Sequence, residues 1–180
     1  MYLCNTTKYV DAREQGGTLQ KAYRTRGGNR IVDICTYCLM PNHFHILIKE
    51  MAEGGASKFM QKLTTGYTMY FNKRYKHTGA LFQGTYKSSH ANTDQYLSYL
   101  IAYIHLNPVK IIEPNWKKDG ILNLQRAEMY LKEYPHSSYL DYLGKTRVHN
   151  CIINKSALPE YCSTPQDFME SVKTWLSPKV

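Results

Sequence analysis

His43 and His45 stand one residue apart in the run Pro41-Asn42-His43-Phe44-His45-Ile46-Leu47-Ile48. Alternate residues of a strand share a face, so both imidazoles point one way while Phe44, Ile46 and Ile48 point to the opposite, apolar side. Two imidazoles about 6–7 Å apart on a rigid strand suit a shared divalent metal, provided a third ligand comes from elsewhere. Taken alone, the pair is equally compatible with two surface histidines. Cys35 and Cys38, just upstream, allow a four-ligand zinc site to be drawn with the same histidines. Cysteines three apart on a strand face opposite sides, however, and no Gly or Pro supplies the tight turn of a zinc knuckle. Two buried thiols are the better reading.

The third ligand has a source downstream. Asn92-Thr93-Asp94 is a helix start, and Pro108 disfavours continuation beyond Asn107. Leu97, Leu100, Ile101 and Ile104 define the buried stripe of this helix. At about 100° per residue, Tyr96, Tyr103 and Asn107 gather on its shoulder. Tyr103 and Asn107 are four apart and therefore neighbours, and Lys110 extends the flank if the helical phase survives Pro108. A phenol one turn from an amide oxygen is well placed beside a strand-borne metal site. The bland alternative is a snorkelling tyrosine and an ordinary helix-ending asparagine.

The elements that must position these groups follow from the pattern around them. Residues 31–40 read as a buried strand, Pro41-Asn42 as a turn, and His43 to Lys49 as the returning strand of a hairpin. A helix is expected from about Ser57 to Lys76, with Phe59, Leu63, Tyr67, Tyr70 and Phe71 on its core face and Lys58, Lys62, Lys73, Arg74 and Lys76 solvated beside them. Gly79 to Ser88 reads as a loop leading into a short strand. A last amphipathic helix is expected from Pro165 to Leu176, with Phe168, Val172, Trp175 and Leu176 at helical spacing. The first 30 residues are polar and glycine-containing, with Arg24, Arg26 and Arg30 clustered near their end. Strands interspersed with helices make the class α+β or α/β.

Composition bounds the function. The chain has 180 residues, enough for one domain of ordinary size. It is 43% hydrophobic and 21% charged, which excludes collagen-like, disordered and disulfide-scaffold classes. A net charge of +9 attracts phosphate backbones or anionic surfaces, and 16 tyrosines interleaved with Lys and Arg suit base stacking as well as half-buried packing. No stretch approaches the roughly 18 apolar residues of a membrane span, and Met1-Tyr2-Leu3-Cys4-Asn5 lacks a signal-peptide pattern. Five irregularly spaced cysteines fit a reduced, cytoplasmic protein without a membrane partner.

With both motifs in view, a family resemblance emerges. Residues 37–48, Tyr-Cys-Leu-Met-Pro-Asn-His-Phe-His-Ile-Leu-Ile, resemble the signature of the single-tyrosine transposases of the HUH endonuclease superfamily. Residues 103–110, Tyr-Ile-His-Leu-Asn-Pro-Val-Lys, resemble the second motif, particularly in the REP-associated tyrosine transposase branch. Residues 79–83 (Gly-Ala-Leu-Phe-Gln) and 134–139 (Tyr-Pro-His-Ser-Ser-Tyr) look like further family blocks, so the resemblance covers roughly residues 30–145. It implies a ferredoxin-like or RRM-like α+β sandwich, histidines on a central strand and a tyrosine on a helix. A transposase domain is expected over residues 1–145, followed by a helical extension over 146–180. Members usually begin with a strand; none is evident in the first 30 residues, so that strand is expected to be missing or divergent.

The resemblance also implies roles. His43, His45 and Asn107 match the ligands of a Mg²⁺ or Mn²⁺ ion, and Tyr103 matches the nucleophile. The implied reaction is cleavage and rejoining of single-stranded, hairpin-containing DNA through a 5′-phosphotyrosine intermediate. Lys58, Lys62, Arg74, Lys87 and Lys110 are the expected DNA contacts. Some relatives are homodimers that share their sites between chains. Two other readings stay open: an inactive RRM-like single-strand binder, and a metal-dependent phosphoesterase that uses water.

Overall fold

The β-branched run after Arg30 pairs with the segment that follows the Pro41-Asn42 turn. In the computed structural model, which describes residues 1–7, 29–160, 168, 170, 172 and 174, strand β1 (Val32–Leu39) and strand β2 (Phe44–Glu50) form a two-stranded antiparallel hairpin. The Met40 N–H donates to the His43 carbonyl at 2.8 Å and closes the turn. Every residue of β1 from Val32 to Cys38 is buried, so both faces of the strand are covered. β2 is half-buried over Phe44–Ile48. The chain divides into two compact units, one of residues 1–33 and 48–90, the other of residues 34–47 and 91–180.

In the first unit a short 3₁₀ turn, Tyr2–Cys4, delivers Asn5 to the start of β1. The Asn5 amide donates to the Val32 carbonyl at 2.7 Å and accepts from the Ile31 and Val32 N–H groups at 3.1 and 3.0 Å. It thus pairs with the strand backbone as a neighbouring strand would. Helix α1 (Gly55–Tyr75) follows β2. Gly55 is required at its start, because a Cβ there would meet the Ile31 carbonyl oxygen at 2.8 Å. The expected core face of α1 is only partly realised: Phe59 is buried, but Tyr67 and Tyr70 are 48% and 60% exposed. The rings pack against one another at tilted angles, Tyr67 against Tyr70, Phe71 and Phe82, and Phe71 against Tyr75. Helical periodicity identifies a common face but not what covers it. The strand expected within Gly79–Ser88 does not form; the segment runs in bends, with Gly79 at φ +93° and the Phe82 ring turned onto Tyr67.

The second unit is built on helix α2 (Asp94–Leu106), capped by the Thr93 hydroxyl, which accepts from the Tyr96 N–H at 3.2 Å. Pro108 does not turn the chain aside. Asn107 and Pro108 keep helical angles, and helix α3 (Val109–Ile112) begins immediately, with the Lys110 N–H on the Asn107 carbonyl at 3.0 Å. Helices α4 (Trp116–Asp119), α5 (Leu124–Glu133) and α6 (Tyr139–Tyr142) follow.

A two-stranded hairpin leaves a row of backbone groups open on its outer edge. Here the 136–138 segment closes that edge. Leu39 N–H bonds the His136 carbonyl at 2.8 Å, Ser138 N–H bonds the Tyr37 carbonyl at 2.9 Å, and Cys38 bridges Ser137 in antiparallel fashion. The Tyr142 and Tyr134 hydroxyls donate to the Cys35 and Leu39 carbonyls at 2.9 and 2.6 Å. His105, fully buried on α2, locks into the same corner: one ring nitrogen bonds the Ile101 carbonyl and the other the Ser138 hydroxyl, both at 2.8 Å. Buried Asp141 pairs with Arg147, whose guanidinium also reaches the Pro135 carbonyl at 2.9 Å and the Ser137 carbonyl. The fold is α+β. The helix expected over Pro165–Leu176 lies largely outside the described residues, of which Phe168 and Val172 are buried.

Candidate functional site

The second unit contains His43 and His45 of the hairpin, Tyr103 of α2 and Asn107 at the end of that helix. The His43 and His45 rings lie 5.2 Å apart between centroids, at 88°. His45 meets the Tyr103 ring edge-on at 5.5 Å. Asn107 is buried, and its Nδ2 donates to the Tyr103 carbonyl at 2.7 Å. That bond fixes the amide through its nitrogen; an amide meets a cation through its oxygen, here Oδ1.

His43 Nδ1 lies 2.7 Å from the Asn42 side-chain oxygen. Because that oxygen only accepts, Nδ1 carries the proton and Nε2 keeps a free lone pair. Burial, aided by the charges of Lys110 and Lys117, holds His43 below the usual imidazole range. Burial, with His43 and Lys117 close by, brings His45 down to about 4. Both rings are therefore neutral near pH 7, the form that ligates metal. Metal–imidazole bonds are about 2 Å long, so rings at this separation can straddle one ion. In donor type, neutral imidazoles and an amide oxygen suit a divalent cation. Among the described residues no group of three or more His, Cys, Asp and Glu side chains converges for a metal, so the four-ligand zinc arrangement with Cys35 and Cys38 is not formed. Both thiols are buried, and burial pushes Cys38 up to about 12.

Three features of this site were not apparent in the sequence. Tyr99 stacks between Tyr96 and Tyr103, at 6.1 and 5.6 Å, making a ladder of phenols along α2. Its spacing of three and four from its neighbours was the available signal. Asn42, read only as part of a turn, orients His43. Lys117 has no sequence signal at all, yet its ammonium donates to the Tyr103 hydroxyl at 2.6 Å and sits 4.2 Å from the centre of the same ring.

A family model described as "Transposase IS200 like" matches residues 6–107, more than half of the chain, and contains His43, His45, Tyr103 and Asn107. The chain belongs to this transposase family. No curated protein and no solved structure matches it. Family membership carries a transposase role and DNA as the substrate. The match begins at Thr6, so it takes in the polar N-terminal stretch, of which residues 8–28 lie outside those described. Of the lysines and arginines expected at the DNA of this IS200-like transposase, exposed Lys110 lies in the same unit as the histidines and acts on His43. Lys58, Lys62, Arg74 and Lys87 belong to the first unit. There Lys62 donates to the Thr6 carbonyl at 2.5 Å. No described helix is long and apolar enough to cross a membrane.

Proposed function

We propose that this chain is a single-tyrosine nuclease and strand transferase of the REP-associated kind, acting on single-stranded, hairpin-containing DNA. The observation that carries the reading is the edge-on approach of Tyr103 to His45 at 5.5 Å, beside a second neutral histidine. A phenol packed against one of two neighbouring imidazoles, one helical turn from an amide, suits nucleophilic attack on a phosphodiester beside a site that would hold a metal.

Tyr103 Oη attacks phosphorus. The Oη–P bond forms as the P–O3′ bond breaks, the phenolic proton passes to solvent, and the departing 3′-oxygen takes up a proton. The product is a 5′-phosphotyrosine with a free 3′-OH, and a second 3′-OH reverses the step to rejoin strands. His43, His45 and Asn107 would hold Mg²⁺ or Mn²⁺, which when bound supplies Lewis-acid polarisation of the phosphate. Asn42 and the Tyr103 carbonyl orient the His43 ring and the Asn107 amide. Lys110, with Lys58, Lys62, Arg74 and Lys87, supplies backbone-directed charge.

The test is incubation with labelled single-stranded hairpin DNA from the gene's own flanks, with Mg²⁺ or Mn²⁺, resolved on a denaturing gel. The proposal expects a protein–DNA adduct that disappears in Tyr103→Phe. Cleavage that persists in that variant would instead indicate a water-using phosphoesterase. Binding without any adduct on any flank would indicate a strand-binding protein.

A further inference from the structure

Lys117 lies beyond the stretch matched to the family, on α4, a single helical turn held by its surroundings. The Glu113 carboxylate accepts from the Leu122 and Asn123 N–H groups at 2.8 and 3.3 Å, tying together the two ends of the excursion that carries α4. Gly120, at φ +77°, ends the turn. From this platform the Lys117 ammonium makes two contacts with one side chain: the 2.6 Å hydrogen bond to the Tyr103 hydroxyl and the 4.2 Å seat over its ring. A flexible four-carbon stem needs such pairing to hold one position, and the ring face provides it. Among the described residues, the ion pairs are Arg30–Asp33, Lys132–Glu128 and Arg147–Asp141, so no described carboxylate neutralises Lys117.

We infer that Lys117 is a catalytic residue of the tyrosine reaction, its ammonium holding the attacking hydroxyl and receiving the scissile phosphate beside it. This rests on the reading of Tyr103 as nucleophile. A phosphodiester is an anion, and the attacking oxygen gains negative character as its proton leaves, so the two repel as they approach. A fixed cation touching the nucleophile offsets that repulsion where it develops. Lys117 keeps its own protons throughout: the Oη–P bond forms, the P–O3′ bond breaks, the phenolic proton leaves to solvent, and the 3′-oxygen is protonated. Placement beside the reacting oxygen separates this role from that of the other lysines, whose contribution is affinity alone.

The experiment compares the unaltered protein with Lys117→Met, Lys117→Arg and Lys118→Met in single-turnover adduct formation at saturating single-stranded flank DNA. Strand affinity is measured by fluorescence anisotropy in a Tyr103→Phe background, and thermal melting monitors folding. Lys117→Met should slow adduct formation about 100-fold, while strand affinity falls by no more than about threefold and melting is unchanged. Lys117→Arg should recover most of the rate, and Lys118→Met should react like the unaltered protein. A full rate in Lys117→Met overturns the inference and leaves the Tyr103 reading standing. A loss of affinity with an unchanged saturating rate overturns it too, reducing Lys117 to a backbone contact. Absence of any adduct in the unaltered protein defeats the Tyr103 reading, and this inference with it.

Discussion

The Tyr103 ring packs nearly perpendicular to His45, 5.5 Å between centroids, and carries the Lys117 ammonium 4.2 Å from its own centroid. One phenol thus packs against a neutral imidazole and an ammonium at once. The first contact joins β2 to α2, and the second joins α2 to α4. Removing the hydroxyl alone, in Tyr103→Phe, preserves the ring packing. This variant should retain strand affinity within about twofold, because phosphate contacts dominate such binding, and should form no covalent adduct. Anisotropy and a denaturing gel on one preparation check both halves.

Metal binding should depend on DNA. Lys110 and Lys117 both act electrostatically on His43, and among the described residues no carboxylate joins the histidines. A divalent cation therefore enters a site already bordered by positive charge, which a strand phosphate would neutralise. Mn²⁺ titrated into the Tyr103→Phe protein, followed by electron paramagnetic resonance, should bind at least tenfold more tightly with single-stranded DNA present. His45→Ala should abolish the difference. Equal affinity with and without DNA would contradict the account.

Stability should fall in mild acid, and His105 gives the sign. Burial pushes its protonation down to about 3, against about 6.5 in an unfolded chain. Below pH of about 6.5 the unfolded chain takes up a proton that the folded chain refuses, so unfolding is favoured by about 1.4 kcal/mol per pH unit until the folded value is reached. Above that window the group contributes no pH dependence. His45, brought down to about 4, acts in the same direction over a narrower range. Urea unfolding from roughly pH 7 to pH 4 should show this slope, reduced by about one proton in His105→Gln.

The Arg147–Asp141 pair should matter more than its distance from the site suggests. Asp141 is fully buried, and Arg147 also ties down the Pro135 and Ser137 carbonyls beside the closed edge of β1. Arg147→Met leaves a buried carboxylate without its partner and should cost about 3–5 kcal/mol. Denaturant unfolding reads this directly, with Lys132→Met, which breaks the exposed pair with Glu128, expected to cost under about 1 kcal/mol.

Much of the site was legible because its geometry is local. The spacing of His43 and His45 makes their rings neighbours, 5.2 Å apart, although β2 starts only at Phe44 and His43 stands just before it. The four-residue step from Tyr103 to Asn107 makes those two adjacent, as the Asn107 bond to the Tyr103 carbonyl shows. The hairpin and α2 were equally readable, since their apolar periods and turn or cap residues agree. Lys117 was not, because its position depends on the excursion between Glu113 and Asn123, which no periodicity describes. The exposed rings of α1 misled for a related reason: Tyr67 and Tyr70 keep helical spacing with Phe59 but find one another rather than a core. Closure of the β1 edge by residues 136–138 is likewise a long-range pairing with no local signature.

The central claim is that Tyr103 becomes covalently joined to DNA, and peptide mapping tests it most directly. After reaction with a single-stranded flank oligonucleotide and Mn²⁺, the protein is digested with protease and nuclease and analysed by mass spectrometry. The account predicts one modified peptide, spanning Tyr103 and carrying a 5′-linked nucleotide on its phenol. A nucleotide on Tyr96, Tyr99 or any other residue, or cleaved DNA with Tyr103 unmodified throughout, would contradict it.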